Sequence, residues 1–102
     1  MKRIEIIANH SVENNIMNAL SEREAAFFWT KIPAVQGMGY QNPKIGDETW
    51  PEENFIMVIY CRNEQTQAIK EAVNEVRKTY PEEGIALFEM TEDNPEMDNL
   101  LE

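Results

Sequence analysis

"NFIMVIYCR", residues 54–62, is the stretch from which the rest of the sequence can be organised. It is rich in β-branched and aromatic residues, as a strand should be. Phe55, Met57, Ile59 and Cys61 alternate with Ile56, Val58 and Tyr60, so both faces of that strand are apolar. A strand packed on one side only would alternate apolar with polar residues. One face must therefore lie on the chain's own core, and the other needs a cover of its own.

The flanking elements show what can cover the first face. "KRIEIIA", residues 2–8, reads as a strand with Ile4 and Ile6 on one face and Ile7 on the other. Ser11 is placed to cap a helix that runs to about Glu22, with Val12, Ile16, Met17 and Leu20 as its apolar stripe. "AAFFWTKIPAV", residues 25–35, reads as a second strand, bent or at an edge where Pro33 falls. After residue 62, Asn63 is placed to cap a second helix. Ile69, Ala72, Val73, Val76 and Tyr80 trace its apolar face, and Arg77 and Lys78 sit in its last turn. Pro81 stops this helix, and "GIALFEM", residues 84–90, supplies a fourth strand.

The order β-α-β-β-α-β predicts an α+β ferredoxin-like sandwich, with a four-stranded antiparallel sheet carrying both helices on one face. Both helices are then spent on one side. The chain has no further element for the other side, so a second subunit is expected there, since a contiguous apolar patch left wet invites aggregation.

Length and composition fit one folded unit. The 102 residues are divided here into a domain over residues 1–91 and an acidic tail over 92–102, where "TEDNPEMDNLLE" has five acidic residues and no basic ones. Nineteen acidic against nine basic side chains give a net charge of −10, which repels phosphate backbones and argues against nucleic acid as a partner. No apolar run is long enough to span a bilayer, the N-terminus does not resemble a secretory signal, and the single cysteine suits a reducing compartment. These features predict a cytoplasmic protein without membrane insertion.

The sequence offers no convincing catalytic set, and an enzyme is not expected. Cys61 falls inside a strand, where a cysteine is usually a small buried hydrophobe, and His10 is a junction residue. One His and one Cys make no zinc spacing. The six methionines are scattered, Met17, Met57 and Met90 fall where core side chains are expected, and no metal site is assigned. The paired carboxylates of "PEENF" and "YPEEG" are read as solvated turns.

The remaining candidate is residues 35–55, which hold three of the four glycines and two of the five prolines. Gly37 and Gly39, one residue apart after a strand, allow the backbone to approach a ligand closely. Here the chain resembles a known family. A β-α-β-β-α-β chain opening "MKRIEIIA", with "VQGMGYQ" closing its second strand and a polar loop before the third, is similar to the PII nitrogen-regulatory signalling proteins over residues 1–90. Val35, Gly37, Gly39 and Gln41 match the V-x-G-x-G-x-Q of that family, with Tyr40 inside the motif.

The resemblance implies a trimer whose sheets pack inward and whose intersubunit clefts bind a small effector, an adenine nucleotide being the family's ligand. It implies ligand contacts at Gly37, Gly39, Tyr40 and Gln41, with Gln41 helping to hold magnesium and a 2-oxo acid. It also implies a loop over residues 41–54 that docks on a target protein such as a membrane transporter, with Lys44 and Trp50 as its partner-facing residues. The loop is shorter than that of PII proteins and lacks their Y-R-G-A-E-Y segment. "TYPEEGIALF", residues 79–88, stands where they carry T-G-x-x-G-D-G-K, which puts Glu82 and Glu83 in place of a phosphate-gripping lysine. Lys31, Lys44 and Arg62 are the cations that could replace it. The chain therefore reads as a divergent PII-like regulator. Two other readings remain: a metal-handling protein like the divalent-cation-tolerance family, using His10, Cys61 or methionines, and an oligomeric interaction module without a small ligand.

Overall fold

The computed structural model describes residues 1–26, 28–38, 43–44 (backbone only) and 52–91. Strand β1 (Lys2–Asn9) is followed by helix α1 (Glu13–Glu22), strand β2 (Trp29–Val35) and two short strands, β3 (Gly37–Met38) and β4 (Pro43–Lys44). Strand β5 (Asn54–Cys61), helix α2 (Thr66–Thr79) and strand β6 (Ala86–Thr91) complete it. The main sheet is antiparallel in the order β2-β5-β1-β6, and β3 pairs with β4 as a separate ribbon. This is the expected ferredoxin-like arrangement. No helix among the described residues is long and apolar enough to cross a membrane.

Strand alternation sorts the side chains of β5 as the sequence predicts. Phe55, Met57 and Ile59 are fully buried and Cys61 nearly so, while Ile56, Val58 and Tyr60 point to the other face and stay partly or largely exposed. On β1, Ile4 and Ile6 enter the core and Arg3, Glu5 and Ile7 face outward. The helices close the inner layer through Ile16, Leu20, Ile69 and Val73. Pro33 lies where the β2–β5 register shifts between Ile32 and Val35, so the strand is both bent and at the sheet edge.

Several details differ from the sequence reading. Each helix begins with a 3-10 turn, and the caps lie earlier than expected: the Asn9 side chain accepts from the Ser11 N–H, and the Arg62 N–H donates to Gln65 Oε1 at 2.9 Å. Tyr80 is not on the buried face of α2. It follows the last helical residue with extended φ, is 39% exposed, and its hydroxyl accepts from Asn15 Nδ2 at 3.2 Å. Met90 is not a core residue of the subunit, because β6 pairing places it opposite Arg3 on the outer face. Strand β2 starts at Trp29, and Ala25 and Ala26 are buried in the turn before it.

That turn explains how α1 ends. The Ala25 N–H donates to Leu20 O at 2.9 Å and the Glu24 N–H to Ser21 O at 3.0 Å, the paired bonds of a Schellman cap. Such a cap needs a left-handed residue, and here a non-glycine, Glu24, holds φ 51. Replacing Glu24 with glycine is expected to stabilise the fold by about 0.5–1 kcal/mol. Urea unfolding checks this, and a destabilised Glu24→Gly protein would show that the Glu24 side chain contributes more than the strain costs.

Candidate functional site

Three connections meet at one end of the main sheet. Val35, at the end of β2, pairs with Asn54, which pairs in turn with Asn9 at the end of β1. On the far side Ala86, at the start of β6, pairs with Ile7. The base of the glycine loop, the β1–α1 junction and the α2–β6 turn are thus neighbours, whatever their separation in sequence.

The first two are tied together. Asn9 is the one buried polar residue among those described, 3% exposed. Its Nδ2 donates to Glu52 Oε2 at 2.8 Å, while its Oδ1 accepts from the Ser11 N–H at 3.1 Å. The His10 N–H donates to Glu53 O at 3.0 Å, and the ring Nδ1 lies 3.1 Å from the same oxygen. The returning leg of the loop is therefore held on the β1–α1 junction by side-chain and backbone bonds together. Burial of Asn9 makes this contact costly to break, because a desolvated amide loses its partner.

The departing leg carries the motif. Gly37 lies in β3 and pairs with Lys44 of β4, so these two candidates are brought opposite one another as backbone partners. Gly39, Tyr40, Gln41 and Trp50 lie outside the described residues, as does most of the 41–54 loop and the tail over 92–102. Reading residues 41–54 as one polar loop missed the β3–β4 ribbon. Two residues per strand leave no periodic pattern to recognise.

The charge at this end is acidic. Glu52 and Glu53 flank the loop base and Glu82 and Glu83 lie in the α2–β6 turn. Arg77 closes that turn: its Nε and Nη2 donate to Ile85 O at 3.2 and 2.9 Å, and its Nη1 to Asn74 Oδ1 at 2.8 Å, neutral acceptors that fix the side chain while leaving its charge in place. Of the three cations considered as replacements for the missing lysine, Lys31 is committed elsewhere. Its Nζ donates to Glu13 Oε2 at 2.9 Å and lies 5.8 Å from the centre of the Trp29 ring. Arg62 follows Cys61 at the opposite end of β5. Only Lys44 belongs to the loop base.

The same topology separates the metal and nucleophile candidates. Cys61 pairs with Lys2, whereas His10 follows Asn9, which pairs with Asn54. They therefore lie roughly 23 Å apart along the strand. Burial pushes the Cys61 thiol up, and nearby Glu89 adds to the shift, so thiolate chemistry is disfavoured there. Glu89 itself is held below the usual carboxylate range, chiefly by its hydrogen bond from Lys70 at 2.5 Å, with Lys2 at 3.7 Å adding to the effect. Among the described residues no group of three or more His, Cys, Asp or Glu gathers as a metal site.

Among the described residues, clefts open elsewhere. One, of about 340 Å³, opens between the end of α1 and the start of β2 beside Met17, Leu20, Ala26 and Trp29. Another, of about 260 Å³, lies between the helices beside Asn15, Glu75 and Tyr80. Neither is lined by residues of the loop base. The Asn9–Glu52 tie was missed in the sequence, where Asn9-His10 marked only the end of a strand. Asn9 two residues before Ser11 signalled only the local cap, since an asparagine there can accept from that backbone N–H.

Solved proteins share this fold, and two of the three described here are named PII-like. CPII, a nitrogen regulatory PII-like protein from Thiomonas intermedia, solved with ADP, AMP and bicarbonate, superposes with a TM-score of 0.65 at 12% identity, covering 92% of this chain and 89% of that one. A putative PII-like signalling protein from Thermus thermophilus gives 0.58 at 14% identity over 87% and 83% of the two chains. A DUF3240-family protein from Shewanella baltica gives 0.63 at 13% identity over 91% of each. Identities this low speak for the fold alone. No curated protein sequence matches the chain. The family model described as nitrogen regulatory protein P-II matches residues 1–92, nearly the whole chain, and with the βαββαβ sheet and the V-x-G-x-G-x-Q stretch in place this chain belongs to the P-II family.

Proposed function

We propose that this P-II chain is a cytoplasmic regulatory protein rather than an enzyme. It works as a homotrimer that senses a small effector in the clefts between subunits and signals through residues 41–54 to a target protein, a membrane transporter being one such target. The observation that supports it is the unfinished sheet: β5 is apolar on both faces, and the chain's helices cover only one. Subunits that pack their outer faces together would complete that layer and bring each loop base against a neighbour. The Asn9–Glu52 tie then gives the loop a fixed point from which effector-dependent ordering can be transmitted.

An adenine nucleotide is the first effector to test, because CPII was solved with ADP and AMP. The acidic residues around the loop base work against a phosphate and favour a divalent metal; bicarbonate, present with ADP and AMP in CPII, and 2-oxo acids belong in the same screen. The expected result is a trimer in sedimentation. One of these ligands should slow amide exchange within residues 41–54, with Gly37→Val weakening that ligand roughly tenfold or more. A trimer whose loop exchange is indifferent to every ligand would instead mark an interaction module without an effector.

A further inference from the structure

The outer face of the sheet is largely apolar, with Ile56 and Val58 on β5 and Ile7 on β1, and carries one charged pair, Arg3 and Glu5, on its central strand β1. Arg3 lies between Tyr60 on β5 and Met90 on β6, and Glu5 between Val58 and Phe88. Tyr60, Phe88 and Met90 are 41%, 52% and 40% exposed, and Ile32 at the β2 edge is 48% exposed. Within this field Arg3 Nη2 donates to Glu5 Oε1 at 2.8 Å and Arg3 Nη1 to the Tyr60 hydroxyl at 2.5 Å, with the guanidinium carbon 5.5 Å from the Tyr60 ring centre.

A surface that covered these apolar side chains would also take this trio out of water. The guanidinium has five N–H donors, and two are used within the subunit; Glu5 accepts through one carboxylate oxygen. The remaining donors and the second oxygen would need partners in the covering surface, since desolvated charge left unpaired is costly. A purely apolar partner cannot supply them. A second copy of this face can, because it brings a surplus of donors and a surplus of acceptor to one patch. The Arg3–Glu5 pair is also neutral on a chain of net charge −10, so like-charged copies meet with least repulsion there.

We infer that Arg3, Glu5 and Tyr60 form a self-recognition key: Arg3 of one copy pairs with Glu5 of the next, selecting copies of this chain over other apolar sheet faces and fixing their register. This inference rests on the proposed oligomer and adds to it the groups that choose the partner.

The test uses full-length wild type, Arg3→Glu, Glu5→Arg, the double exchange Arg3→Glu/Glu5→Arg, and Tyr60→Phe, each read by sedimentation and native mass spectrometry, with far-UV circular dichroism to report folding. Either single reversal is expected to raise the dissociation constant about a hundredfold or more. The double exchange should assemble within roughly tenfold of wild type, since the pair is preserved with its signs reversed. Mixing supplies the decisive reading. If the pairing crosses between subunits, the exchanged chain and wild type sort into separate homo-oligomers, because each mixed contact sets either Arg3 against an arginine at position 5 or a glutamate at position 3 against Glu5. If the pair acts only inside its own subunit, mixed oligomers form in statistical proportion, and the inference is overturned. Should a reversal prevent folding, Tyr60→Phe still tests the key through a weakened assembly. A wild type that is monomeric at micromolar concentration would overturn the oligomer itself, whereas an oligomeric wild type with freely mixing variants would overturn only the key.

Discussion

Met57→Asp is expected not to fold, and Val58→Asp is expected to fold without assembling. The two residues are neighbours on β5 and their side chains leave it in opposite directions. Met57 is fully buried among the residues facing the helices. A carboxylate there must be desolvated without a partner or protonated at a cost, which is worth more than about 4 kcal/mol and a large part of the total stability of a small domain. Val58 lies on the outer face, partly exposed, between Thr30 of β2 and Glu5 of β1. In a lone subunit an aspartate at 58 reaches water, so the subunit should lose no more than about 1 kcal/mol. In an assembly that covers this face it is trapped beside Glu5, where like charges repel. Circular dichroism and sedimentation on both variants separate the cases. A folded Met57→Asp protein would contradict the placement of the core, and a Val58→Asp protein that assembles like wild type would move the interface to another surface.

The contrast rests on a property visible in the residues. A period of two places Phe55, Met57, Ile59 and Cys61 together with no knowledge of what they touch, and the structure buries that set. Ile69, Ala72, Val73 and Val76 could be assigned for the same reason at the helical period. Where a residue stood at the end of its element the period no longer constrained it. Tyr80 continues the spacing of α2 but follows its last turn, so its backbone leaves the helix and the ring turns outward toward Asn15. Met90 was misplaced for a different reason. Hydrophobicity says that a side chain avoids water, but only the register of β6 against β1 says on which face, and it puts Met90 opposite Arg3.

The candidate site was less legible because it is assembled from three connections. The glycine motif could be read as a string, whereas the Asn9–Glu52 bond joins residues 43 positions apart. The role of Arg77 was half visible. Its place in the last turn of α2 suits the helix dipole, but its bonds to Ile85 O depend on how tightly the chain turns after Pro81. Glu82 and Glu83 were legible as carboxylates standing where the family carries its lysine, and the structure places them in the turn between α2 and β6.

Phe55→Ala should produce the largest loss of stability among variants that still fold. Phe55 is the bulkiest of the fully buried side chains and stands opposite Ala8, itself 1% exposed. A methyl group on that side cannot move far enough to fill the space a ring leaves, so the cost is expected at about 3–5 kcal/mol. The loss should also be independent of assembly. If folding and association are linked, a tenfold rise in protein concentration raises the apparent stability of the wild type. Because Phe55 faces the helices, it should raise that of Phe55→Ala by the same amount, leaving the difference between the two unchanged. Val58→Asp should abolish the concentration dependence and leave the subunit's own stability nearly intact. Urea unfolding at two protein concentrations measures both quantities. A Phe55→Ala loss below about 1 kcal/mol would contradict the buried packing of the ring, and a loss that grows with concentration would mean that Phe55 supports the contact between subunits as well as the core beneath it.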